Sequence, residues 1–321
     1  MARRTERQWV ERLRERFAGS SPGVQLGIGD DAAILAASSD AWVCSVDASV
    51  QGVHFDLRYL SLEDVGYRAF QAAASDLAAM GAVPVAALSA LVLPPELPPE
   101  GLDALTLGQH AASQECQCPV VGGNLSKGTE LSLTTTVIGR VSKPLPRVGA
   151  RPGDQLWLVG SVGLAAAGLA CLRLGLSGGD PGSGSALARC VAAWRRPRAL
   201  LSRGLELAAC ASSGIDISDG LASDARQLAR ASGVRIVVER ELLRAALDPC
   251  LLETSRRLRR SPLQLALQGG EDYALLATGP ARRRPEWAAP IGWVSRGQGA
   301  WLGRGGDNLP LEHGYDHLAR P

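Results

Sequence analysis

The residues with chemistry to offer are carboxylates set beside glycines and serines. Gly27-Ile28-Gly29-Asp30-Asp31 puts two acids directly after a Gly-x-Gly turn. The combination recurs as Ser45-Val46-Asp47, Ser75-Asp76, Asp216-Ile217-Ser218-Asp219-Gly220 and Gly269-Gly270-Glu271-Asp272. Clustered oxygen donors suit hard cations, and Mg²⁺ takes one or two carboxylates completed by waters and phosphate oxygens. The pattern points to acidic knots that meet around a metal–nucleotide complex.

Each knot also has a plainer reading. The first mimics a dinucleotide fingerprint, with Asp47 as the ribose acid. Against that, residues 32–40 are too short and broken for a crossover helix, and acids in the loop would repel a pyrophosphate meant for bare backbone N–H groups. A solvated acidic turn stays open there. Asp219 stands where a helix N-cap is expected; if the segment is instead extended, Asp216 and Asp219 are expected to face one ligand. Gly122-Gly123-Asn124 reads as a turn, since Asn tolerates left-handed backbone. His54 and Arg147 alone read as a structural ring and a solvated charge.

Other machinery is absent from the sequence. There is no P-loop, no protein-kinase catalytic set, no nucleophile elbow and no HExxH. A net charge of +2 makes no case for nucleic acid. The only lysines are Lys127 and Lys143, which limits any mechanism built on a catalytic lysine. The seven cysteines form no CxxC and no zinc spacing. Their odd count and apolar settings predict reduced thiols in a reducing compartment; Cys116-x-Cys118 is the one spacing a redox step could use. No run is long and apolar enough for a membrane span, and the expectation is a soluble cytoplasmic protein.

The elements that must position these residues follow from periodicity. Helices are expected at 5–17, from Ser61 as N-cap to about Met80, at 101–115, from 164 to about 176, near 187–194 and 197–211, at 220–231, and in segments up to about 267. Strands are expected at 41–47, 84–93, 130–141, 155–159, 234–239, 273–278, 291–295 and 300–302. The composition changes at 143–154, which carries two prolines, a Pro-Gly and no apolar run. That sets domains at 1–145 and 146–321.

Taken in order, the motifs resemble the thiamine-monophosphate kinase family of the aminoimidazole-ribonucleotide-synthetase superfamily. The segments that carry the resemblance are GIGDDAA (27–33), SVDASVQGVHF (45–55), SDLAAMGAVP (75–84), GGN (122–124), ARPGDQLWLVGSVG (150–163), DISDGLASD (216–224), GGEDYALL (269–276) and GYDHL (314–318). The resemblance implies an α/β (α+β) fold of two domains, a dimer formed by pairing N-terminal sheets, and an active site between domains. It implies transfer of the γ-phosphoryl of ATP to thiamine monophosphate with several Mg²⁺ ions. By position, Asp31, Ser45, Asp47, Asp76, Asp216 and Asp219 would hold Mg²⁺, with Val46 contributing backbone only. Gly123, Arg147 and Ser218 would contact ATP, and His54, Glu271 and Tyr315 would surround the thiamine substrate. Asn124 stands at a metal position where the family carries Asp, and Ala73 replaces a usual Asn. Two alternatives remain: a binding homologue that has lost catalysis through Asn124, or another ATP-dependent enzyme of the superfamily.

Overall fold

The computed structural model of the chain describes residues 6–17, 22–28, 32–176, 184–305 and 307–311. Asp31 and Tyr315 therefore lie outside the described residues. The chain divides into two compact units, residues 1–77 with 82–142, and residues 78–81 with 143–321.

The first unit contains α1 (Glu6–Arg16), β1 (Val24–Leu26), β2 (Ile34–Leu35), β3 (Ala41–Val50), α2 (Leu62–Ala79), β4 (Val83–Leu93), α3 (Pro99–Glu115), β5 (Val120–Lys127) and β6 (Ser132–Val141). Its four-stranded sheet has the order β3-β6-β4-β5, antiparallel except for the β4–β5 pair. β6 alternates strictly: Leu133, Thr135, Val137 and Val141 are buried and their neighbours half-buried. That period of two is what a sheet with one covered face requires. Ser61 starts α2 as expected, its Oγ accepting from Asp64 N at 3.1 Å. The helix is apolar nearly all round, with Phe70, Ala73, Ala74 and Leu77 buried, as expected of a helix packed on several sides.

α2 and α3 touch at backbone distance. A Cβ on Gly66 would come within 1.9 Å of Leu105 O, and one on Gly108 within 1.9 Å of Glu63 O. α1 is tied to α3 by Arg12 and Arg16, both paired with Asp103. β1 and β2 pair across the first acidic loop, and Val24, Ala33 and Leu35 pack on Val85, Ala86 and Val121.

The second unit contains β7 (Gln155–Val159), α4 (Leu164–Arg173), α5 (Ala186–Arg195), α6 (Leu201–Cys210), β8 (Ser213–Ile217), α7 (Leu221–Ser232), β9 (Arg235–Glu239), α8 (Arg240–Ala246), α9 (Pro249–Leu258), α10 (Pro262–Gln268), β10 (Ala274–Gly279), β11 (Ala289–Ser295), β12 (Gly299–Arg304) and β13 (Asp307–Pro310). Its seven-stranded sheet runs β13-β12-β9-β11-β7-β10-β8, with β12–β9 the parallel pair. The strands β7, β8 and β10 are continuous buried runs. Trp157 sits at the centre with no exposed surface, and a Cβ on Gly279 would come within 2.4 Å of its ring.

Three expectations are corrected here. Gly122-Gly123-Asn124 is no turn: β5 runs straight through it. Gly123 is required because a Cβ there would meet Ser89 O at 1.9 Å across the parallel pair. β1, β2, β8 and β13 are strands that local periodicity did not predict. The Cys116-x-Cys118 thiols are both buried. Burial, and then the neighbouring Glu115, pushes Cys116 up to about 12, and burial also pushes Cys118 up. Neither is a thiolate ready for redox work.

Candidate active site

In the first unit, the alternation of β3 sorts the expected ligands by face. Ser45 and Asp47 are half-buried, while Cys44, Val46 and Ala48 are exposed. Ser45 pairs with Val137 and Asp47 with Thr135, both buried on the helix-covered face. On that face Ser45 Oγ donates to Asp76 Oδ2, so a strand hydroxyl and a helix carboxylate form one oxygen pair. Asp47, Thr135, Ser89 and Gly123 form a single row across the sheet. Thr135 Oγ1 in that row is buried with no hydrogen-bond partner, an orphaned oxygen beside an expected metal ligand. Spacing alone did not reveal Thr135, because only pairing brings it to Asp47.

Val46 and Asn124 lie on the other face. Their rows are Val46–Thr136–Leu88–Gly122 and Ala48–Thr134–Ala90–Asn124. The Val46 side chain thus leaves the Ser45 face, and the Asn124 amide projects from the face opposite Ser45 and Asp47. His54 follows β3 in a turn closed by Gly52 N to Phe55 O at 2.8 Å. Val50 N donates to His54 Nδ1 at 3.1 Å, which leaves Nε2 to carry the ring proton of the neutral form.

In the second unit, two motifs fold into one structure. β8 ends at Ile217, and Ser218-Asp219-Gly220 turns out of the sheet into α7, with Gly220 at φ 103°. The Gly269–Asp272 segment lies against this turn. Glu271 N donates to Ser218 O at 2.7 Å, and Tyr273 N to Ile217 O at 2.9 Å. Gly270 is needed because a Cβ would approach Ser218 O to 2.5 Å. The expectation that an extended segment aims Asp216 and Asp219 together is corrected. Asp216 is a buried strand residue, and Asp219 lies three positions on, beyond the end of the strand. The turn brings the two acids close enough to share one electrostatic neighbour. Asp219 is also not the cap of α7. Gly220 holds that position, with no side-chain cap.

That neighbour, Asp224, was not expected. It sits in the first turn of α7 and reaches back, Oδ2 accepting from Ser218 N and Asp219 N, both at 3.1 Å. Burial first, then the charges of Asp216 and Asp219, push its carboxyl up to about 8, against the pull of the two backbone donors. Asp272 plays a similar part across a larger gap. It accepts from Gly163 N at 2.6 Å and Ala165 N at 3.0 Å, the free amides at the start of α4. The residues on either side of it, Glu271 and Tyr273, both have left-handed φ, 67° and 50°. Such strain at non-glycine residues is concentrated at functional sites. Glu271 itself accepts from Trp194 Nε1 at 2.9 Å. Arg147 is exposed, and its Nη1 donates to Gln227 Oε1 at 2.8 Å.

The donor chemistry of both units fits Mg²⁺, since it is all carboxylate, hydroxyl and amide oxygen. Among the described residues no three His, Cys, Asp or Glu side chains make a metal site by themselves. Mg²⁺ sites completed by water and substrate phosphates need no more than one or two protein carboxylates. A cavity of about 340 Å³ in the second unit is lined by Ala222, Arg240, Ser261, Gln264, Gln268 and Arg304, among others, and by none of the expected site residues.

The family model for AIR synthase related protein, N-terminal domain, matches residues 29–141, and the corresponding C-terminal domain matches residues 151–266. The thiamine-monophosphate kinase of Escherichia coli K12 is 34% identical over 334 aligned positions, covering 97% of this chain and 98% of the relative. That of Aquifex aeolicus is 33% identical, covering 86% and 88%. The chain belongs to the thiamine-monophosphate kinase family. The crystal structure of the kinase from Stenotrophomonas maltophilia superposes with a TM-score of 0.81 at 31% identity, covering 91% of this chain and 94% of that one. AaThiL complexed with AMPPCP and TMP also gives 0.81 at 29% identity, covering 99% and 100%. Hydrogenase maturation protein HypE in complex with ATP, at 18% identity and a TM-score of 0.75, shares the fold alone.

The buried cap supplied by Asp272 gives a testable pH dependence. Burial is the main cause of its rise to about 7, and the Gly163 and Ala165 amides oppose it. An unfolded Asp titrates near about 4. Because the folded value is the higher one, stability from this group is full below the unfolded value and is lost as pH rises toward about 7. Urea midpoints for the wild type should therefore fall between pH 4 and 7, and fall less steeply in Asp272→Asn. Parallel curves would show that Asp272 does not titrate in this window.

Proposed function

We propose that this chain transfers the γ-phosphoryl of ATP to the phosphate of thiamine monophosphate, giving thiamine diphosphate and ADP. The observation that carries this is family membership over nearly the whole length of both chains, as with the Escherichia coli enzyme at 97% and 98%. A neighbour of the same fold binding AMPPCP and TMP supports both reactants. The attacking phosphate oxygen is already ionised, so the reaction needs little general-base work. Its demands are in-line positioning and neutralisation of two anions.

The site assignments come from the family resemblance, and the geometry supports several of them. Bound Mg²⁺ would neutralise the phosphates, held by Asp31, Ser45, Asp47, Asp76, Asp216 and Asp219, by the Val46 backbone and by Asn124. The Ser45–Asp76 pair and the Asp216–Asp219 turn support these roles. Gly123, Arg147 and Ser218 would hold ATP. Gly123 presents bare backbone, and Ser218 sits on a turn already fastened on both sides. His54, Glu271 and Tyr315 would surround the thiamine substrate, with the carboxylate of Glu271 oriented by Trp194. No described helix is long and apolar enough to cross a membrane. With all seven cysteines free, we place the reaction in the cytoplasm.

We further propose a homodimer formed through the outer face of the N-terminal sheet. Trp42, Val46 and Val83 are 41%, 62% and 47% exposed. They share that one face of the sheet, where an apolar patch invites a partner. Light scattering should give the mass of two chains for the wild type and of one for Trp42→Glu. A wild-type monomer removes the dimer.

The acceptor is decided by ADP release from ATP and Mg²⁺. Thiamine monophosphate should support turnover and free thiamine should not. Turnover with thiamine alone would overturn the reading, and tight AMPPCP binding with no ADP release would favour the impaired homologue. Asn124 tests the metal assignment. If its amide oxygen serves Mg²⁺, Asn124→Asp should lower the Mg²⁺ concentration for half-maximal activity by about tenfold, equal to ~1.4 kcal/mol. Superimposable titrations would show that Asn124, on its own face of the sheet, holds no metal.

A further inference from the structure

Arg147 lies 80 residues from Gln227 in sequence, yet its Nη1 donates to Gln227 Oε1 at 2.8 Å. Gln227 uses its other polar atom in the opposite direction, Nε2 donating to Asp224 Oδ1 at 3.0 Å. Asp224 then spends its second oxygen on the backbone N–H groups of Ser218 and Asp219. The result is a continuous chain from an exposed guanidinium, through a side-chain amide and a carboxylate, to the amides of the turn between Asp216 and Gly220. Every donor in it faces an acceptor. The amide of Gln227 is oriented by this pattern, because a flipped amide would put its NH₂ against the guanidinium and its oxygen against the carboxylate.

The backbone end of Arg147 is fixed as well. Ser232, the last residue of α7, donates Oγ to Arg147 O at 2.8 Å and accepts from Gly149 N and Ala150 N at 3.2 and 3.1 Å. α7 therefore holds the Arg147 segment at its C-terminal end and the Ser218–Asp219 turn at its N-terminal end. Gln227, half-buried midway along the same helix, links the Arg147 guanidinium to the turn.

We propose that Gln227 is a positioning residue for the nucleotide: it holds the Arg147 guanidinium in register with the Ser218–Asp219 turn, so that one phosphate-contacting charge and one metal-bearing turn move as a unit. This rests on the kinase reading above, which assigns Arg147 and Ser218 to ATP. Gln227 touches no substrate. Its effect is to spare the nucleotide the ordering of a long, exposed arginine side chain, an entropic term that preorganisation removes from binding. The effect should appear in nucleotide affinity and KM, with kcat little changed.

The test is a double-mutant cycle read by calorimetric binding of AMPPCP in saturating Mg²⁺, alongside steady-state KM and kcat for ATP. Methionine at 227 keeps the length and helix propensity of glutamine but cannot hydrogen-bond. Gln227→Met should weaken AMPPCP about tenfold in the wild-type background and raise KM for ATP to match. In Arg147→Ala, which is itself weakened, adding Gln227→Met should cost less than about twofold more. Equal losses in both backgrounds would show that Gln227 acts independently of Arg147, through Asp224 or the packing of α7, and would overturn the proposal, as would Gln227→Met binding like wild type. Thermal melts confirm that the variants are folded. The binding cycle needs no acceptor, so a chain that does not turn over thiamine monophosphate but shows the coupling defeats the kinase reading and leaves this one standing.

Discussion

Like charges crowded into a fold are the constraint on which the rest of this structure depends. Two unit charges about 4 Å apart repel by roughly 4 kcal/mol at the effective dielectric of a protein surface, and this chain gathers several carboxylates within each unit. The folded chain eases that cost by bonding Asp224 and Asp272 to backbone amides, and both carboxyls keep their protons to a higher pH than a free Asp. Asp224 takes the N–H groups of Ser218 and Asp219. Asp272 takes those of Gly163 and Ala165. Backbone donors add positive potential without competing for a ligand's phosphates, as a ring of arginines or lysines would.

This solution makes the backbone conformation part of the site. Asp272 reaches the start of α4 only because Glu271 and Tyr273 on either side accept left-handed φ, at a cost of order 1–3 kcal/mol each. The bonds from Glu271 N and Tyr273 N to the end of β8 hold that geometry. The same contacts set Glu271 beside Ser218, so strain and capping are one arrangement. Glycine is needed where the two segments meet, since a Cβ at Gly270 would press on Ser218 O and one at Gly220 on Gly269 O.

What was legible in the sequence was local. β3 and β6 could be read because a strand with one covered face imposes a period of two, and both run for ten residues. α2 could be read because Ser61, Glu63 and Asp64 announce its start. β5 was read as a turn because Gly122-Gly123-Asn124 has the local chemistry of one. Its glycine answers to Ser89 O on a neighbouring strand, and no local pattern carries that. β8 was missed because five residues containing a glycine and an aspartate have no strand signature of their own. Burial against β10 makes it one. Asp272 is the extreme case, a helix cap supplied from 107 to 109 residues away, whereas capping rules look one turn upstream. Asp224 stood inside the DISDGLASD motif, yet its role depends on a side chain folding back onto its own turn.

The two faces of the first sheet differ in what a lost oxygen costs. Ser45, Asp47, Asp76 and the orphaned Thr135 hydroxyl share the helix-covered face, where the first three are half-buried and a lost oxygen is felt more than at an exposed position. Val46 and Asn124 share the other face, where both side chains are exposed in the single chain. Departures from the family's acidic pattern therefore bear differently on function according to the face they fall on. A neutral residue at 47 or 76 would remove charge from a half-buried, helix-covered position, whereas position 124 is exposed in the single chain. The oxygens that the family resemblance expects on the helix-covered face, Ser45, Asp47 and Asp76, are present in this chain, in keeping with a working kinase.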